Sequence, residues 1–210
     1  MNGARPSSHA GAEASHGQPG SAAQRERRRR ILDATIALAS EGGFDAVQMR
    51  TVADNAEVAL GTLYRYFPSK IHLLVSALGR EFEEADRRTA QRTIPGDTAH
   101  ERVMHVLGRT TRLLQKQPRL TEALIRAFMF ADASVAPEIH EVGLRLTSMI
   151  SRAMSGSPAR HQATEEAAIV RVIGDVWLSA LVGWVTGRMQ AKDVEKSIDV
   201  AVRLLLRRQS

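Results

Sequence analysis

The side chains best suited to chemistry stand together at Gly61-Thr62-Leu63-Tyr64-Arg65-Tyr66-Phe67-Pro68-Ser69-Lys70, a stretch holding both tyrosines of the chain. Hydroxyls, a guanidinium and an ammonium at this density suit phosphate oxygens and base edges rather than acid–base catalysis. Leu63 and Phe67, four residues apart, define an apolar side from which Arg65 points away. Tyr64 and Tyr66 offer hydroxyls for phosphates and rings that pack; Tyr66 is also suited to a half-buried position. Thr62 falls in the first turn of the helix, where side chains reach base edges or phosphates. Gly61 lacks a Cβ, which permits close approach to a DNA backbone or to a neighbouring helix. Lys70 opens the following helix, where backbone N–H groups and a cation together hold a phosphate. Arg50 and Thr51 precede the stretch as further phosphate candidates. Arg28 and Arg29 are placed to enter a minor groove or lie along the backbone.

These residues need a frame. Val52-Ala53-Asp54-Asn55-Ala56-Glu57-Val58 reads as a short helix and turn closed by Ala59, and residues 60–67 as a second short helix. A helix, a tight turn and a second helix rich in Thr, Tyr and Arg is the layout that delivers a helix to a major groove. Upstream, Ile31, Leu32, Thr35, Leu38 and Ala39 share one helical face from residue 21 onward. Gly42-Gly43 ends that helix, because glycine accepts the left-handed cap cheaply. Further helices are predicted over 49–56, 70–93, 98–116, 119–132, 135–155, 162–189 and 192–208, punctuated by Pro118, Pro137 and Gly156-Ser157-Pro158. No segment alternates with period two. The expectation is an all-α fold of about nine helices, a small N-terminal domain fused to a larger bundle, preceded by a disordered tail over residues 1–20.

The order Gly-Thr-Leu-Tyr-x-Tyr-Phe-x-x-Lys at 61–70, preceded by a helix ending in Gly-Gly-Phe and followed by a long helix, resembles the TetR family of transcriptional regulators. The resemblance implies a helix-turn-helix DNA-binding domain over 21–69 and an effector-binding and dimerisation domain over 70–210. It implies a homodimer on palindromic double-stranded operator DNA, released by a hydrophobic small molecule. Over the whole chain the likeness is to the sterol-catabolism branch of the family, which implies a steroid acyl-CoA thioester as effector. The sequence departs from the family pattern at Glu57, where glycine is usual in the turn, and at Gln48 and Ala59, where Ser or Thr commonly caps a helix. Losing such a cap forfeits about 1 kcal/mol.

Composition limits the alternatives. The formal charge is +6, with Arg25, Arg27, Arg28, Arg29 and Arg30 set against Glu26 alone. That cluster is either a footprint for an anionic partner or a solvated helix start. Cysteine is absent, which excludes disulfides and thiolate metal sites and fits a reducing cytoplasm. No apolar run is expected to reach the ~18 residues of a membrane span, and the N-terminus lacks an apolar secretion segment. His100 and His105 are five apart, unlike the i, i+4 pair of a metal site. Glu83-Glu84 and Glu165-Glu166 are adjacent rather than facing pairs. No metal, no cofactor and no enzymatic activity are expected. From a different class, a helical lipid or acyl carrier would account for an apolar bundle and a basic N-terminus, but not for Tyr64, Arg65, Tyr66 and Lys70 in a helix-turn-helix frame.

For an effector cavity, the large and soft apolar residues are Met104, Leu107 and Leu113, Phe128 and Met129, Leu146 and Met149, and Trp177, Leu181 and Trp184. Such stripes line adaptable cavities or simply fill a core. Arg109, together with Arg112, Arg126 and Arg188, would supply cations at the mouth for a CoA tail. Gly174, Ser179, Gly183 and Gly187 keep one side of the penultimate helix thin, and Val194, Ile198, Ala201, Val202 and Leu205 stripe the last one. These residues suit a four-helix dimer seam or an intrachain core.

Overall fold

The computed structural model describes residues 19–90, 93–155 and 164–207. Among them there are nine α-helices and no strand: α1 (Pro19–Ala46), α2 (Met49–Asn55), α3 (Leu60–Tyr66), α4 (Lys70–Ala90), α5 (Ala99–Lys116), α6 (Pro118–Met129), α7 (Ala136–Ser155), α8 (Thr164–Val185) and α9 (Ala191–Leu206). A single 3-10 turn, Ala133–Val135, leads into α7. The expected tail lies outside the described residues, apart from the start of α1 at Pro19.

The small N-terminal unit is built by burial rather than by helix caps. Gly43, at φ 69°, breaks the regular course of α1, as its φ > 0 conformation requires. Neither Gln48 nor Ala59 makes a side-chain cap bond, so α2 and α3, seven residues each, are too short to persist alone. They are held by Val52, Ala53, Ala56, Leu63 and Phe67, which join Ile31, Leu32 and Val47 of the first segment in one core. Glu57 takes φ 53°, the left-handed conformation that explains why glycine is usual at this turn; a side chain there costs about 1 kcal/mol.

From that unit α4 runs into the bundle. His72 through Leu78 are all buried, enclosed by α1 on one side and by α6 and α7 on the others. His72 ties the start of α4 to the 3-10 turn: its Nε2 lies 3.1 Å from the Ser134 carbonyl and its Nδ1 2.9 Å from the Ser69 hydroxyl. Nε2–H therefore donates to the carbonyl and Nδ1 accepts from the serine. Farther along, the Phe82 ring packs 5.5 Å from the Trp177 ring.

Several boundaries and faces differ from expectation. α7 begins one residue later, behind the 3-10 turn, and α8 stops at Val185, with Gly187 at φ 73° in the turn that follows. Within α8, Glu165–Val185 is long and apolar enough to cross a membrane by length and composition, with a mean hydropathy of 1.7, contrary to the sequence reading. The structure supplies another reason for that composition. Ile169, Val170, Ile173, Trp177, Ala180 and Leu181 are buried against neighbouring helices, while Val172 on another side is exposed. Part of the expected seam turns inward, while Ser179 and Gly187 are exposed and Ala201 and Leu205 half-buried. Val194, Ile198 and Val202 are all at 0 % exposure, Gly174 meets Leu146 of α7, and Gly183 meets Met189. These residues are intrachain core, because α9 packs its apolar stripe on α5 and α8 of its own chain.

The Trp177 indole N–H donates to Thr111 Oγ1 at 2.9 Å, with both residues at 0 % exposure. Thr111→Val keeps the shape and orphans that donor, so unfolding free energy is expected to fall by about 1–3 kcal/mol. Urea denaturation followed by tryptophan fluorescence measures it; a change below about 0.5 kcal/mol, the level of an ordinary surface substitution, would contradict this packing account.

Candidate nucleic-acid interface and effector cavity

Helix α3 presents a divided surface. Leu63 is fully buried and Phe67 nearly so, and they anchor the helix from beneath. Tyr64 is 46 % exposed; Gly61 and Arg65 are exposed beside it, and Thr62 and Tyr66 are half-buried. An added Cβ at Gly61 would meet nothing within 4 Å. Close packing on a neighbouring helix of this chain therefore does not account for this glycine. Arg50 is exposed and Thr51 half-buried at the start of α2. Gly61, Tyr64 and Arg65 of α3 and Arg50 of α2 are thus exposed, Thr51, Thr62 and Tyr66 only partly so, and one core supports both helices.

The flanking cations each make an intrachain contact that the sequence reading did not anticipate. Lys70 does not extend freely from the start of α4: its Nζ sits 3.9 Å from the centroid of the Phe44 ring. Burial holds its ammonium below the usual lysine range, with Arg126 nearby adding repulsion and Asp45 and Glu122 opposing it. The Arg126 guanidinium lies 4.4 Å from the same ring and 3.5 Å from Glu122. One aromatic ring thus gathers cations from the start of α4 and the end of α6, each interaction worth about 0.5–2 kcal/mol. Arg28 lies 5.4 Å over the Phe67 ring, close to the end of α3. Arg29 binds Glu26 at 2.6 Å and Asp33 at 2.8 Å, so its guanidinium is engaged along α1.

Most of the residues expected to line an effector cavity are packed into the core or half-buried. Leu107, Met149, Trp177 and Leu181 are enclosed in the core. Met104, Leu113, Phe128, Leu146 and Trp184 are half-buried. Met129 is 48 % exposed at the end of α6. Met104 alone of this set lines an 820 Å³ cleft between α5 and α9, beside His100 and Val200. The expected mouth cations are spread as well: Arg109 is exposed, Arg112 binds Glu195 at 2.7 Å, Arg126 is held by Phe44 and Glu122, and Arg188 donates to Thr186. A second cavity, of 710 Å³, lies between α1, the end of α3, α4 and α7. Its floor includes Leu32, Phe67 and Val75 and its rim is rich in arginine. Sequence reasoning passed over it because its lining comes from four separate segments, none of which carries a motif.

Comparison with known proteins places this architecture. Residues 31–77 match the family model "Bacterial regulatory proteins, tetR family", and residues 96–205 match "Tetracyclin repressor-like, C-terminal domain". The chain is 56% identical over 193 residues to the HTH-type transcriptional repressor KstR of Mycolicibacterium smegmatis, covering 91% of this chain and 93% of that one. A solved TetR transcriptional regulator from Rhodococcus sp. RHA1 superposes with a TM-score of 0.81 at 32% identity, covering 90% of this chain and 100% of that one. FadR of Thermus thermophilus, a TetR-family repressor solved in complex with lauroyl-CoA, shares the fold with a TM-score of 0.64 at 22% identity, covering 85% of this chain and 93% of that one. Two family domains in tandem, and identity of this order across nine-tenths of the sequence, establish that the chain belongs to the TetR family of bacterial transcriptional regulators.

Proposed function

We propose that this protein is a homodimeric repressor that reads a palindromic operator through α3 and is released by a steroid acyl-CoA thioester, controlling genes of sterol catabolism. The observation that carries the reading is the extent of identity to the KstR repressor, combined with the exposed Tyr64–Arg65 surface. The acyl-CoA class is supported by the fold shared with a FadR solved with lauroyl-CoA. The steroid part rests on the whole-chain likeness to the sterol-catabolism branch. We assign residues 21–69 to DNA binding and 70–210 to effector binding and dimerisation, and we place the protein in the cytoplasm.

In this reading Gly61, Thr62, Tyr64 and Tyr66 face the major groove, with Arg65, Arg50, Thr51 and Arg28 on the phosphates that flank it. Effector binding shifts α4 and with it the separation of the two recognition helices. Release requires that the effector bind the DNA-incompetent state more tightly, by about 5–150-fold for ordinary coupling free energies. The proposed dimer seam differs in part from the sequence expectation, since Val194, Ile198 and Val202 of the α9 stripe are internal. The exposed Val172 of α8 and the exposed Val200 and Leu204 of α9, flanked by half-buried Val182 and Leu205, offer the apolar surface for a four-helix seam.

Three outcomes are expected. Arg65→Ala and Tyr64→Phe alter exposed side chains, so the fold should persist while operator affinity drops. Removing one cation from a DNA phosphate lowers the slope of log affinity against log salt by about 0.9. Unchanged affinity and slope in gel-shift titrations would remove α3 from the interface. Leu204→Glu puts a charge into the proposed seam and should shift the protein toward monomer in light scattering; a dimer as stable as that of the unsubstituted protein would exclude this face. Finally, a steroid acyl-CoA thioester titrated into the preformed operator complex should release the DNA, and failure to do so would reject the sterol assignment.

A further inference from the structure

The 710 Å³ groove between the DNA-binding unit and the bundle is rich in arginine. Arg25, Arg28, Arg29, Arg80, Arg87 and Arg145 line it, against Glu83, Glu138 and Glu141. Four of the arginines are already paired: Arg29 with Glu26 and Asp33, Arg80 with Asp33, Arg87 with Glu84, and Arg145 with Glu83 at 3.0 Å. Among the described residues Arg25 and Arg28 make no ion pair, and Arg28 lies over the Phe67 ring. A second feature points to an occupant. Glu138 Oε2 is buried without a hydrogen-bond partner, an acceptor that a donor group on an occupant, like an ordered water, would satisfy.

We propose that this groove seats the phosphate-bearing nucleotide end of the effector, a proposal that rests on the acyl-CoA reading above. A bare inorganic anion would use the arginines but offer Glu138 nothing. An adenine nucleotide with phosphomonoester and pyrophosphate groups supplies acceptors for the guanidiniums and hydroxyl or amino donors for the orphaned carboxylate. The volume lies within the roughly 300–1,000 Å³ usual for ligand sites. The placement also has a regulatory consequence. An occupant here touches Tyr66 and Phe67 at the end of the recognition helix and draws on Arg28, so effector phosphates and operator phosphates compete for one cation.

Isothermal titration of the full chain with adenosine 3′,5′-bisphosphate and with inorganic pyrophosphate tests the site. The bisphosphate should bind more tightly than pyrophosphate. Joint replacement Arg87→Gln and Arg145→Gln should weaken bisphosphate binding at least about tenfold, with Arg145→Lys restoring part of the loss. Glu138→Ala should erase the preference for bisphosphate while leaving pyrophosphate binding intact, an effect that general loss of folding would not produce. Wild-type bisphosphate affinity in the double arginine variant, no binding of either probe, or equal affinity for both in the unsubstituted protein would each overturn the proposal. The two readings separate cleanly. Thioester release of operator without groove-dependent nucleotide binding would sink the groove alone, whereas nucleotide binding in the groove without thioester release would sink the effector assignment alone.

Discussion

The enclosure of the first half of α4 is the constraint on which the structure turns. His72 through Leu78 are all buried, so the helix cannot slide there without disturbing another element. Toward α1 it completes the core that supports α3; toward α6 and α7 it is part of the bundle. Packed interiors respond to displacement by switching between arrangements rather than by bending smoothly. A ligand that repositions α4 therefore has a mechanical route to the recognition helix, and α3, with no cap of its own, has little independent rigidity to resist it.

Two small polar assemblies reinforce this joint. His72 bridges Ser69, at the end of the DNA-binding unit, to the Ser134 carbonyl before α7. Phe44 collects Lys70 and Arg126 on its ring, joining the end of α1 and the start of α4 to α6. Both assemblies lie close to α3. Both link segments far apart in sequence through interactions of modest energy.

How much of this was legible in the sequence follows from how local each feature is. The spacing of Leu63, Tyr64, Arg65 and Phe67 lies within two helical turns and gave the buried and exposed sides of α3 directly. Gly43 marked the break in α1 for the same reason. Periodicity also showed that Val194, Ile198 and Val202 share an apolar face, but not whether that face meets its own chain or a second copy, and in the structure it meets α5 and α8. The apolar character of α8 on more than one side hid the division between Trp177, which is inside, and Val172, which is outside. Lys70 was read as a phosphate-holding cation without its contact to Phe44, because Phe44 lies far upstream, beyond any helical period. The arginine-lined groove was invisible for a related reason: each wall looks like an ordinary solvated helix face until the fold assembles them.

The most direct measurement of the central claim uses the absence of cysteine from the chain. A single Asn55→Cys substitution, at an exposed site beside the turn into α3, carries one spin label per copy, and dipolar spectroscopy reads the distance between the two. With operator bound, the account predicts one narrow distribution consistent with recognition helices about 34 Å apart, one turn of duplex. A shifted distribution is predicted when the acyl-CoA effector replaces the DNA. An identical distribution in both states, or a spacing incompatible with successive grooves, would contradict the claim that α4 couples the bundle to a DNA-reading α3.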